Sequence, residues 1–132
     1  MGAGRSFWRA QAGASAVEFA LVVPAFLALT IGALNLCILL YINSTLHFAV
    51  DDAARCMSIS QAAGTTACDT VAHTRTHALA TFNFPSLSPV ITPLAAQTCG
   101  NQVTGTATYQ LNAVLTSMAV NLSATSCFPV QN

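Results

Sequence analysis

Glu18 is the only charged residue between Arg9 and Asp51, counting His as neutral, and it stands at the head of the apolar run Val17-Glu18-Phe19-Ala20-Leu21-Val22-Val23-Pro24. An ionised group at bilayer depth costs roughly 2.5–3.5 kcal/mol on insertion scales, so a carboxylate in a membrane segment calls for a partner charge. The plainer explanation is a Glu at the headgroup level of an ordinary signal anchor. A second chemistry lies in Cys56, Cys68, Cys99 and Cys127, an even set beyond the apolar run that suits disulfides in an oxidising compartment. Four cysteines allow three pairings. Cys56–Cys68 with Cys99–Cys127 is favoured because each bond closes a local unit, worth about 3 kcal/mol on the loop-entropy model. Zinc is disfavoured, since no Cys-x-x-Cys occurs. Asp69, His73 and His77 recur every four residues and share one face of a helix, a spacing that suits a metal ion. With no His-Glu-x-x-His pattern and no fourth ligand, they read as a solvated face, and no metal or other cofactor is expected. Neither a Gly-x-Ser-x-Gly elbow nor a Gly-rich phosphate loop is present, so no catalytic residues and no enzyme activity are expected.

The element that must carry Glu18 is a membrane helix. Residues 19–42 contain no charge, and at about 1.5 Å per residue they reach about 36 Å, more than the roughly 30 Å hydrocarbon core. A cleaved secretory signal has an apolar stretch of only about 7–15 residues, so removal as a secretory signal is not expected. Leu36 before Cys37 is not the small residue that a lipoprotein cleavage site needs, which disfavours lipid attachment at Cys37. Arg5 and Arg9 mark the amino-terminal side as cytoplasmic and send everything after the helix across the membrane.

The helix is expected to continue past the bilayer, because Ile42, Leu46, Ala49, Val50, Ala53 and Met57 form an apolar stripe at spacings of three and four. His47, Asp51, Arg55 and Ser58 fall together on another face, with Asp51 and Arg55 placed for an i,i+4 ion pair. One helix from about Ala14 to about Ala62 follows, bent near Pro24 and ended by Gly64. A second helix is expected to start from a Thr65 or Thr66 cap, with Asp69 as the capping-box acid. It should end before Pro85 and carry its apolar face on Val71, Ala78, Leu79 and Phe82.

Beyond Ser86 the period changes to two. Val103, Gly105, Ala107, Tyr109 and Leu111 alternate with polar residues, and Val120, Leu122 and Ala124 do the same. A third strand around Val90–Thr98 is confined by Pro89 and Pro93 to an edge or an irregular start. The fold class is therefore α+β: a long amino-terminal transmembrane helix continuing into a head with a second helix and a small antiparallel sheet.

Composition narrows the partners. The 132-residue chain has 6% charged residues, zero formal net charge and no Lys. Its four Arg are spread from residue 5 to residue 75. A nucleic-acid surface needs a clustered basic footprint, so none is expected.

The segment Gly13-Ala14-Ser15-Ala16-Val17-Glu18-Phe19-Ala20-Leu21-Val22-Val23-Pro24 closely resembles the start of TadE-like pseudopilins of the tight-adherence (type IVb) pilus system, and Asp51-Asp52-Ala53-Ala54-Arg55 resembles the Ala-Ala-Arg segment common after their membrane helix. The resemblance implies a minor pseudopilin in the bacterial inner membrane, with residues 1–13 as a cytoplasmic leader, 14–42 as the transmembrane helix and 43–132 as the exported head. It implies that a prepilin peptidase cuts between Gly13 and Ala14, making Glu18 the fifth mature residue, which pairs with the amino terminus of a neighbouring subunit. Implied partners are that peptidase, other pilins and pseudopilins, the inner-membrane assembly platform and the lipid bilayer. The alternative is an uncleaved signal-anchored exported binding domain.

Overall fold

The computed structural model describes the backbone of residues 4–112 and 117–130, and the side chains of residues 15–111 and 117–130. The elements are α1 (Gly4–Ala63), α2 (Val71–Phe82), a 3-10 turn (Pro85–Leu87), β1 (Val90–Gln97), β2 (Gly100–Asn112) and β3 (Ser117–Phe128). The sheet is antiparallel in the order β1-β2-β3, so the architecture is α+β. Two compact units divide the chain, Met1–Cys37 and Ile38–Asn132.

In the first unit the chain is helical from Gly4, well before the expected start near Ala14. Residues 4–14 contain no proline, and their Ala, Arg and Gln are good helix formers. The helix continues on both sides of Pro24. Its side chains are exposed apolar groups, among them Phe19 (72% exposed), Leu21 and Phe26. This is the one helix among the described residues that is long and apolar enough to cross a membrane.

In the second unit the amphipathic stripe does what its spacing requires. Ile42, Leu46, Ala49, Val50, Ala53 and Met57 are all buried, each at most 3% exposed. All of these but Met57 share a core with Ala78 and Phe82 of α2, Ile91 of β1, Val103 and Ala107 of β2, and Leu122 and Ala124 of β3. Burying a side chain such as Leu46 or Phe82 stabilises by about 1.5–3 kcal/mol. Rings extend the core at one end, where Phe84 meets Phe82 at 5.3 Å and Tyr41 at 6.1 Å between centroids, both edge-on. The positive-φ residue Gly64 (φ 66°) follows the last residue of α1, a conformation that costs glycine nothing.

The start of α2 differs from expectation. Its N-cap is Thr70, whose hydroxyl accepts from the His73 amide at 3.2 Å. Thr65 and Thr66 lie outside the helix, and Asp69 bonds the His73 ring at 2.6 Å instead of closing a capping box. The cause is covalent: Cys68 is bonded to Cys56 of α1, which fixes the chain short of the helix. Val71 is exposed, whereas Thr74 is fully buried and donates to the carbonyls of Thr70 (2.9 Å) and Cys68 (3.2 Å). The helix ends at Phe82 with Asn83 in the left-handed region (φ 51°), its amide donating to Leu79 O.

β2 and the middle of β3 alternate as their sequences indicate, and β1 does so only over Val90–Pro93. Gly105 leaves no room for a side chain on the inner face, since an added Cβ would lie 2.6 Å from Val50 Cγ2 and 3.1 Å from Leu46 Cδ1. On the outer face Thr108 donates to its cross-strand partner Asn121 at 3.0 Å, and Thr104 pairs with Thr125 at 3.4 Å. The edge strand β1 holds Pro93 and an irregularity between Leu94 and Gln97, as expected where a ladder cannot be regular.

Ser58 corrects another expectation. It is fully buried, not on the face of His47 and Asp51, and donates to Phe128 O at 3.2 Å. Asn101, also fully buried, donates to Ser58 Oγ at 3.2 Å and Gln61 Oε1 at 2.7 Å, while its Oδ1 accepts from Ala96 N at 3.3 Å. This network ties the β1–β2 hairpin end and the end of β3 to α1. The Cys99–Cys127 disulfide joins the same two ends. There Gly100 (φ 118°) passes so close to the Phe128 carbonyl and Pro129 Cα that no side chain fits.

Two outcomes follow for the detergent-solubilised chain. Gly105→Val is expected to lower the unfolding free energy by about 1–3 kcal/mol through overpacking, seen as a lower denaturant midpoint. Asn101→Leu is expected to cost roughly 1–3 kcal/mol by leaving buried polar groups unpaired, whereas Thr108→Val on the exposed face should shift the same midpoint much less.

Candidate functional site

Two sites carry the chain's chemistry, one in each unit. In the first, Glu18 projects from α1 among exposed apolar neighbours, Val17 at 61% and Phe19 at 72% exposed. The apolar stretch satisfies its other polar side chains locally. Thr30 Oγ1 donates to Phe26 O at 2.8 Å and Asn35 Nδ2 to Ile31 O at 2.9 Å, each reaching the carbonyl one turn back. Such back-bonding suits a segment without water. It is closed to Glu18, because an ionised carboxylate only accepts and so does a carbonyl. Among the described residues Glu18 makes no hydrogen bond or ion pair. The helix itself supplies no donor to this carboxylate. The expected cleavage pair Gly13 and Ala14 lies outside the residues whose side chains are described.

The second site surrounds the Cys56–Cys68 disulfide in the unit Ile38–Asn132. Both favoured pairings are present, Cys56–Cys68 and Cys99–Cys127, while Cys37 is free and exposed. The first bond joins α1 to the segment before α2 and brings α2 alongside. There His77 Nε2 lies 2.7 Å from Asp52 Oδ2 of α1. The helical series Asp69, His73 and His77 is thereby split: His73 turns to Asp69, and His77 turns to Asp52. Asp51 and Arg55 do not form the expected pair. Asp51 Oδ1 accepts from Ser126 Oγ of β3 at 2.7 Å, since the sheet presents a donor directly to it. A cleft of about 420 Å³ opens beside Asp52, Arg55, Cys56, Ser60 and His77.

Asp52 is the residue that pattern analysis passed over. It sits 25 positions from His77, and only the favoured Cys56–Cys68 pairing, by bringing the start of α2 to α1, carries a signal of their approach. Asn101 gave no signal of its own, because a single Asn at the start of a strand reads as a turn residue.

Comparison with known proteins bears on the first site. No curated protein and no solved structure matches the chain. A family model described as TadE-like protein does match, over residues 13–55. The match opens at Gly13, includes Glu18 and Pro24, and closes at Arg55 of the Asp51-Asp52-Ala53-Ala54-Arg55 segment. It spans the membrane-capable stretch of α1 and most of its buried stripe, about a third of the chain, and the likeness to the TadE-like family is to this part.

Proposed function

We propose that this chain is a minor pseudopilin-like membrane protein that takes part in assembling a tight-adherence pilus after a prepilin peptidase removes residues 1–13. The observation that carries the proposal is the TadE-like match, which begins at Gly13, the residue that would precede the cut, and contains Glu18. The segment suits the chemistry. Gly13 offers an unbranched residue before the scissile bond, and Arg5 and Arg9 hold the leader on the cytoplasmic face. Cleavage creates an α-amino group with an ordinary pKa of about 7.7–8.0, largely protonated at neutral pH.

That new ammonium group, on a neighbouring subunit, is the donor proposed for Glu18. An acid that the local helix cannot satisfy becomes tolerable in lipid once an opposite charge meets it. Glu18 would then select for docking among processed subunits only. The role is structural, without catalysis, in a single-pass inner-membrane protein whose amino terminus is cytoplasmic and whose head is exported. Its partners are the peptidase, other pilins and pseudopilins, and the assembly platform.

Amino-terminal sequencing of protein made with and without the peptidase tests the processing step: Ala14 should be the first residue in its presence and residues 1–13 should be retained in its absence. An intact leader under both conditions would favour an anchored binding domain instead. Glu18→Gln should still insert and be cleaved, yet fail to support pilus assembly. Normal piliation in that variant would sink the role given to Glu18.

A further inference from the structure

One end of the unit Ile38–Asn132 combines exposed apolar groups with an absence of charge. On α1 it begins with Leu39, which packs against the core, and with Leu40 and Tyr41, 58% and 63% exposed. The ring of Phe84 meets Tyr41 at 6.1 Å, so the turn after α2 sits beside the last residues of the uncharged run 19–42. In that turn Pro85 and Ser86 are exposed and Leu87 is half-buried. Pro85 and Pro89 have no N–H, and the amides of Leu87 and Ser88 donate to Phe84 O and Pro85 O, so little backbone is left to desolvate.

β2 reaches the same end. It runs opposite to α1, with Asn101 bonded to Ser58 and Gln61 and Gly105 set against Leu46 and Val50. At about 3.3 Å per residue Leu111 lies about 20 Å beyond Gly105, whereas Tyr41 is only about 7–13 Å along α1 from Leu46 and Val50. Leu111 is paired with Met118, which is 64% exposed. The charged residues lie elsewhere: Asp51 is about 15 Å up α1 from Tyr41, and Arg75 about 10 Å up α2 from Phe82. No Asp, Glu, Lys or Arg follows Arg75.

Crossing the hydrocarbon core takes about 20 residues, which leaves residues 39–42 in the interfacial layer, where tyrosine is enriched. We propose that the uncharged end of the folded unit, from Tyr41 across residues 84–89 to Leu111 and Met118, is seated in that layer of the bilayer. The lipid is the occupant because the patch continues the apolar run of α1 without a break. A unit held by one helix alone can turn about it, and this second contact fixes which faces point away from the lipid. The inference rests on α1 spanning the bilayer, and not on leader cleavage or on Glu18.

The test uses the full chain in phosphatidylcholine nanodiscs, without reductant so that both disulfides stay closed, and with one nitroxide label per chain. Collision with oxygen, enriched in lipid, is compared with collision with a neutral nickel chelate, enriched in water. The native thiol of Cys37 reports the span. In a Cys37→Ser background, Ser86→Cys and Met118→Cys report the seat, and Ala62→Cys, about 30 Å up α1 from Tyr41, reports the aqueous phase. The labels at 86 and 118 are expected to favour oxygen severalfold more than the label at 62. Nickel-chelate access at 86 or 118 equal to that at 62, with Cys37 still favouring oxygen, would overturn the seat and leave the span standing. Nickel-chelate access at Cys37 would remove the span, and the seat with it. A lipid-soluble diazirine applied to the unsubstituted chain should insert in residues 84–89 as well as in α1, and insertion confined to α1 would overturn the proposal even if a variant is poorly folded.

Discussion

The folded unit depends on one surface, the stripe from Ile42 to Met57 on α1. A 12-residue helix such as α2 is marginal in water by itself, and a three-stranded sheet needs its apolar face covered. Both find their cover on the same few turns. The stripe is rich in alanine, with Ala49, Ala53 and Ala54 fully buried, so neighbouring elements approach closely. Gly105 answers it from the sheet by offering no side chain where Val50 and Leu46 arrive. Two disulfides then hold the pieces that packing brought together, one linking α1 to the approach of α2 and the other joining the end of β3 to the β1–β2 hairpin.

What could be read in advance follows a physical division. Periodicity located the stripe residue by residue and the inward positions of β2 and β3, because those patterns are local consequences of 3.6- and 2-residue repeats. The disulfide pairing was legible too, since short loop closures are favoured. What escaped was settled by contacts distant in sequence. The cap of α2 fell at Thr70, not at Thr65 or Thr66, because a covalent bond at Cys68 fixes where the chain may begin to coil. Asp51 turned to Ser126 and His77 to Asp52 because tertiary partners outcompeted the i,i+4 neighbours, whose exposed pairs contribute only a few tenths of a kcal/mol. Ser58 was assigned to the wrong face because two elements cover α1, which widens the buried arc beyond a single stripe.

Glu18 drew notice for a different reason. A carboxylate in an apolar helix stands out by its cost, and the structure explains why that cost is not met locally: Thr30 and Asn35 can donate back to the helix, whereas an acid cannot.

The outward face of the sheet has a consequence for how the folded unit meets its surroundings. Its ladder of Gln102, Thr104, Thr106, Thr108 and Gln110 beside Asn121, Ser123 and Thr125 carries no ionisable side chain. Counterions therefore have nothing to gather on there, and protonation has nothing to alter. Whatever touches this ladder meets hydroxyl and amide groups, and beside them the exposed Val90 and Leu94 of β1, so its contacts respond little to ionic strength or acidity.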